Sequence, residues 1–177
     1  MNIHYQDDKA RFIANTAIIA GIYVVVTFIT APFAFGPLNF RVAEGLNFLG
    51  LYNRKHILSV ALGVFISNYF AYGPVDMIVG TLSTLIFVYI GQWLSHYIVN
   101  KMQPEHLKNI DPMLIKYLIM AIFFSLSMIS IALMIKFLGY QGPFIPLYLG
   151  MVLSEFIAMV LGGFIIYPLS KRINLYQ

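Results

Sequence analysis

Ala10-Arg-Phe-Ile-Ala-Asn-Thr-Ala-Ile-Ile-Ala-Gly-Ile-Tyr-Val-Val-Val-Thr-Phe-Ile-Thr-Ala31 decides the fold class. About 22 almost uncharged residues are enough to cross roughly 30 Å of hydrocarbon as a helix. The run is too long for a cleavable signal core, and no small-residue cleavage pattern follows it, so it reads as a retained first span. The rest of the chain repeats the theme. Of its 177 residues 60% are hydrophobic, a fraction that barely changes when 12 Tyr are exchanged for 13 Gly, and only 10% are charged. Soluble domains have about 45 to 50% apolar and about 25% charged residues, so a soluble fold of this size could not cover its surface. The chain is expected to be a multi-pass membrane protein, with residues 1–177 forming a single transmembrane domain.

Beyond the first run, apolar segments extend from His56 to Tyr72, Val75 to Val99, Pro112 to Gly139 and Pro143 to Leu169, with Gly73-Pro74 and Gly142-Pro143 as tight turns. Between Pro32-Phe-Ala-Phe-Gly-Pro37 and the third span lies Phe40 to Tyr52, about 13 residues, which is marginal for a crossing and compatible with a re-entrant segment. Counting it as a span gives six, with both termini cytoplasmic. Nine Lys and Arg (Lys9, Arg11, Arg54, Lys55, Lys101, Lys108, Lys116, Lys171, Arg172) then lie inside and two, Arg41 and Lys136, outside. A five-span arrangement scores eight against three, so the positive-inside rule favours six only narrowly. Backbone groups in lipid must be paired internally, which leaves an all-α bundle.

Zero Cys excludes disulfides, thiolate metal sites and cysteine nucleophiles. There is no Gly-x-x-x-x-Gly-Lys loop for ATP and no His-Glu-x-x-His zinc site. His4, His56, His96 and His106 fall toward cytoplasmic tails and loops. Neither a catalytic residue, a metal nor a cofactor is expected, and no nucleic-acid partner.

The acids divide into two sets. Asp7, Asp8, Glu105 and Asp111 read as solvated cytoplasmic charges. Glu44, Asp76 and Glu155 do not. Glu155 is about twelve residues past Pro143, roughly 18 Å along its helix and near mid-bilayer, where an ionisable group costs at least ~3 kcal/mol and requires a cavity or a partner. It is either a ligand contact or a structural group, paired with Arg41 or hydrogen-bonded to a neighbouring helix. Asp76 is either a ligand contact or a helix N-cap after Gly-Pro. Arg41, Glu44 and Asn47, spaced by three, share one helical face. They form either a hydrogen-bonding row for a planar heterocycle or a local ion pair. Asn68 and a hydroxyl among Thr81, Ser83 and Thr84 extend the cluster. Its local charge, Glu44, Asp76 and Glu155 against Arg41 and Lys136, suits a cationic ligand better than a phosphorylated one.

Ala10, Ala14, Ala17 and Gly21 make a small-residue stripe along the first span, suited to close helix approach within the bundle or by another subunit. Gly162-Gly163 in the last span reads similarly, as internal packing or as a place for another helix to approach. Phe123, Phe124 and Met128 read as lipid-facing residues or core filler. Tyr23, Tyr69, Tyr72, Trp93, Tyr97 and Tyr140 read as interfacial aromatics, with Tyr69 or Tyr72 also placed to stack on a flat ligand.

Ala31-Pro-Phe-Ala-Phe-Gly-Pro-Leu-Asn-Phe-Arg-Val-Ala-Glu44, Gly63-Val-Phe-Ile-Ser-Asn68, Gly73-Pro-Val-Asp76, Gly80-Thr-Leu-Ser-Thr84 and Ser154-Glu-Phe156 together resemble the QueT family of queuosine-precursor transporters, substrate-binding S components of energy-coupling factor importers. The fifth span departs from that pattern, with Phe123-Phe-Ser-Leu-Ser127 where an Asn-Gly pair is expected. The resemblance implies a six-helix bundle with an outward pocket capped by the first loop. It also implies a membrane T subunit docking on the Ala10, Ala14, Ala17 and Gly21 stripe, and two cytoplasmic ATPases. The implied ligand is a 7-deazaguanine such as 7-aminomethyl-7-deazaguanine. Arg41, Glu44, Asn47, Asn68, Asp76, Thr84 and Glu155 would bind it: Glu155 or Glu44 on the guanidine-like edge, Asp76 on the ammonium, Arg41 on the carboxylates or the carbonyl. Alternatives are another micronutrient, such as a hydroxymethylpyrimidine or pyridoxine, or, from another class, a small membrane enzyme or a structural subunit.

Overall fold

A computed structural model describes residues 3–36, 39–70, 73–102 and 110–176, with side chains from Asp8 onward. Pro37, Tyr72, Glu105, His106 and Lys108, and the side chains of His4 and Asp7, lie outside the described residues. Every regular element among the described residues is helical, and none is a strand. The order is α1 (Ile3–Ile29), α2 (Ala31–Ala34), a 3-10 helix (Val42–Phe48), α3 (Leu49–Tyr52), α4 (Lys55–Tyr69), α5 (Pro74–Lys101), α6 (Pro112–Leu126), α7 (Met128–Phe137) and α8 (Phe144–Ser170).

Among the described residues four helical stretches are long and apolar enough to cross a membrane: Asp8–Ile29, Pro74–Lys101, Pro112–Phe137 and Phe144–Ser170. Proline sets where helices begin. Pro74 and Pro112 occupy first-turn positions of α5 and α6, where a missing N–H costs nothing. Gly73, at φ +77°, supplies the left-handed step before α5.

Two predicted segments differ from expectation. The marginal segment is neither a straight span nor lipid-exposed. It is a 3-10 helix running into one turn of α-helix, about 20 Å long, and only Val42 and Leu46 in it are part-exposed. The surrounding helices bury it. What lets it in is glycine: Gly45 lies against the backbone of Gly162 in α8, and a Cβ on either would collide with the other's main chain. Gly162 thus serves internal packing, as its sequence context suggests. The fifth predicted span is broken at Ser127, where α6 ends and α7 begins. The third is shorter than expected, α4 ending at Tyr69.

The core is aromatic and sulfur-rich. Phe48 stacks on Tyr117 at 4.0 Å, and Met120, Met151 and Met159 fill the space beside them. A second, smaller cluster joins α1 to α4 through Tyr23, Val60 and Val64. The ring of Tyr23 occupies the space that a side chain at Gly63 would take.

Candidate ligand site

The end of the bundle where α4 finishes and α5 starts encloses a cavity of about 20 Å³, lined by Asn39, Arg41, Glu44, Asn68, Asp76 and Thr84, with Gly80, Ser83 and the apolar Val64, Phe124, Met128 and Ile131. Each polar member arrives for a local reason. Arg41 is the extended residue that caps the 3-10 helix, and Glu44 follows one turn later. In a 3-10 helix residues three apart eclipse one another, so Arg41, Glu44 and Asn47 form a tighter row than an α-helix would give. Asn68 closes α4, and Gly80 opposite has no side chain, which leaves room for the Asn68 amide. Asn39 is the one described non-glycine residue at positive φ, +52°, a conformation Asn tolerates.

The groups form a connected network. Arg41 donates through Nη1 to Asn68 Oδ1, and its Nη2 lies 3.5 Å from Asp76 Oδ2. Asn68 Nδ2 donates to the Asp76 carbonyl at 3.1 Å, tying α4 to α5. Glu44 accepts from Tyr23 Oη at 2.5 Å on one oxygen and from Asn47 Nδ2 at 2.7 Å on the other. The aromatic ring of Phe35 lies 6.0 Å from the Arg41 guanidinium, and Phe28 packs edge-on against both Phe35 and Phe70. Phe35 is therefore held beside Arg41 and to the ends of α1 and α4.

Against this geometry most of the sequence expectations can be placed. Arg41, Glu44, Asn68, Asp76 and Thr84 share the cavity wall. Asn47 and Glu155 are buried but off it: Asn47 braces Glu44 from behind, and Glu155, 1% exposed, makes no ion pair with Arg41, whose partner is Asp76. Asp76 does not cap α5. Gly73 holds that position, and the Asp76 carboxylate points to Arg41. Tyr69 is 55% exposed, rests on Phe70 and does not reach the cavity. Tyr23 is no interfacial aromatic but a fully buried donor to Glu44, a role its position inside a continuous apolar run conceals. Phe124 and Met128 are wall residues as well as filler, and Asn39 joins them. The Asn39 signal was its place two residues before Arg41.

Several polar atoms of this cluster have no hydrogen-bond partner: Asn39 Oδ1, Arg41 Nε and Nη2, Asn47 Oδ1, Asp76 Oδ2 and Glu155 Oε1. Buried groups are normally paired. Of these, Asn39 Oδ1, Arg41 Nε and the loosely paired Arg41 Nη2 and Asp76 Oδ2 belong to residues of the cavity wall, and such donors and acceptors are ones a small polar heterocycle would satisfy.

The family model described as QueT transporter matches residues 13–171. The chain belongs to the QueT transporter family. A relative named queuosine precursor transporter QueT, from Lactococcus lactis subsp. cremoris (strain MG1363), is 37% identical over 169 residues, covering 94% of this chain and 96% of the relative. No solved structure matches the chain. Family membership and the long apolar helices make this QueT protein a multi-pass membrane protein.

Outside the cavity, the QueT chain's other polar expectations resolve into structure. Asp111 is no free surface charge. It caps α6 through Met113 N–H at 2.8 Å and also accepts from Tyr167 Oη at 2.7 Å and Lys171 Nζ at 2.6 Å. Those donors hold its carboxyl down at about 2. His56 and His96 lie in helices, not loops, and bond the carbonyls of Leu175 and Leu51 at 3.1 and 3.2 Å. The Ala10, Ala14, Ala17 and Gly21 stripe faces outward, with nothing within 4 Å of a Cβ added at Gly21.

Proposed function

We propose that this QueT protein is the substrate-capturing S component of an energy-coupling factor importer and that it takes up a queuosine precursor, 7-aminomethyl-7-deazaguanine or a close relative. It is a transport subunit, not an enzyme. In this reading the chain crosses the membrane six times, the buried 3-10 segment counted as one crossing, with both termini in the cytoplasm and the cavity toward the outside. The covering first loop, held by Phe28 and Phe35, opens to admit ligand. A cavity of about 20 Å³ holds little more than one water, so a bicyclic heterocycle needs that movement.

The observation that carries the reading is the set of atoms without a hydrogen-bond partner on Asn39, Arg41 and Asp76 of the cavity wall. A guanine-like edge presents adjacent N–H donors beside a carbonyl acceptor, which carboxylates and a guanidinium satisfy together, while an aminomethyl cation needs a further acid. The name of the relative supports the same ligand class. The outward α1 stripe supports a T subunit packing there, with two ATPases supplying the energy.

Calorimetric titration of the detergent-purified chain with 7-aminomethyl-7-deazaguanine tests this, with guanine, a hydroxymethylpyrimidine and pyridoxine for comparison. One-to-one binding of the deazaguanine alone is expected. Binding of a different member reassigns the substrate, and silence across the panel in a folded sample removes the capture role. Co-purification with a T subunit and two ATPases, lost in Ala14→Leu, tests the partner assignment.

A further inference from the structure

The part of the cavity wall that α5 contributes includes Asp76, Gly80 and Thr84, spaced by four along one face of the helix. The middle position has no side chain, although glycine inside a helix is disfavoured against alanine. A group from α4 takes the space. A Cβ at Gly80 would fall onto Asn68 Nδ2, with Asn68 Cγ at 3.4 Å and Val64 Cγ1 at 3.6 Å. Nδ2 is the far end of a side chain, so a methyl at Gly80 is accommodated by displacing the Asn68 amide rather than by parting α4 from α5.

That amide is engaged on both sides. Its Oδ1 accepts from Arg41 Nη1, and its Nδ2 donates to the Asp76 carbonyl at 3.1 Å. The reverse orientation would set amide hydrogens against the guanidinium and oxygen against a carbonyl, so the neighbours fix it. Asn39, the other amide of the wall, differs in having Oδ1 without a partner. Arg41 is a long side chain on the extended residue ahead of the 3-10 helix. Asn68 holds its Nη1, and Nη2 lies 3.5 Å from Asp76 Oδ2. Nε and Nη2, the two donors along one edge of the guanidinium, have no hydrogen-bond partner. Arginine can only donate, so that edge calls for an acceptor.

We propose that Gly80 and Asn68 are a positioning pair for ligand selection: the gap at Gly80 admits the Asn68 amide, and the amide holds Arg41 so that its Nε and Nη2 edge takes the ligand's carbonyl oxygen. This rests on the substrate reading above, whose deazaguanine offers a ring carbonyl. A guanidinium held in place before binding loses less freedom when it pairs, and a charged donor of fixed direction rewards an acceptor that meets it. Releasing Arg41 therefore lowers the preference for a carbonyl more than it lowers binding as a whole.

Calorimetry of the full chain with 7-aminomethyl-7-deazaguanine and with its analogue lacking the carbonyl oxygen reads the preference as a ratio of affinities; melting temperature in detergent checks the fold. The unaltered chain is expected to favour the carbonyl ligand about tenfold or more, as a hydrogen bond to a charged group allows. Gly80→Ala and Asn68→Ala each cut that ratio about tenfold, and the double variant cuts it no further, because both act through one group. Nor does Asn68→Ala lower it further in Arg41→Lys, which keeps the charge and loses the fork. An unaltered chain without the preference, or variants that weaken both ligands equally or neither, overturn the inference and leave the substrate reading intact. Losses that add in the double variant overturn the action of Gly80 through Asn68. A further fall in the Arg41→Lys background makes Asn68 a ligand contact in its own right and overturns its positioning role. If Gly80→Ala alone does not fold, the double variant decides: with the amide gone it must fold and bind as Asn68→Ala does. Absence of any deazaguanine binding overturns the substrate reading and this inference with it.

Discussion

The two ends of the bundle treat buried polarity in opposite ways. At the Asp111 end polar groups are paired with one another: Asp111 has three donors, Tyr52 meets Tyr117, and His96 bridges Lys116 to the Leu51 carbonyl. At the Arg41 end the guanidinium, two acids and two amides keep unpaired atoms. The Arg41 set is buried and costly and is not complete within the chain, whereas the Asp111 set is complete and partly solvent-exposed, with Lys171 at the surface. Self-paired polarity holds helices together, and polarity left open is available to a ligand.

The largest effect that sharpens this contrast is expected at Arg41. Arg41→Met strands Asp76 beside Glu44 and should cost about 3 to 5 kcal/mol of stability, read as a lowered melting temperature in detergent, together with lost ligand binding. A melting temperature within error of the parent would break the comparison. Next comes the crossing that carries the 3-10 helix. Gly162→Ala forces a methyl into the Gly45 backbone and should cost about 1 to 3 kcal/mol; calorimetry should show weaker ligand binding, because the Arg41 and Glu44 row shifts with its helix.

At the other end, Asp111→Ala should cost about 1 kcal/mol through the lost cap while ligand affinity stays within twofold. Its pH dependence has a definite sign. The native carboxyl is held at about 2, below its ordinary 3.8, so its stabilisation is complete above about 3.8 and is lost as pH falls through about 2. Acid melting curves of parent and variant should therefore converge at low pH. The smallest effect belongs to Gly21→Ala. Nothing lies within 4 Å of the added methyl, so the isolated chain should change by no more than about 0.5 kcal/mol.

How far the sequence could be read follows the same physics. Length and apolarity are properties of local runs, so the helical membrane class and four crossing segments are visible in α1, α5, the α6 and α7 pair and α8. The short segment is ambiguous for the same reason. Its burial depends on Gly45 meeting Gly162, more than 100 residues away in the chain. Arg41, Glu44, Asn68 and Asp76 were legible as wall residues because a charge or amide in an apolar context needs a partner, and Thr84 came only as one of several hydroxyls near them. Tyr23 was not, since a tyrosine in a span looks the same whether it sits at the interface or donates to a buried acid. Glu155 was legible as costly, but its place behind the cavity wall was not, because helical rise gives depth and not direction.

The break at Ser127 has a mechanical consequence. Met128 and Ile131 on α7 form part of the cavity wall, whereas α6 is anchored at its far end by Asp111 and through Tyr117. Two short rods joined at one residue can tilt separately where a single continuous rod would transmit any displacement along its whole length. The chamber can therefore widen on the α7 side while the anchored end keeps its registry.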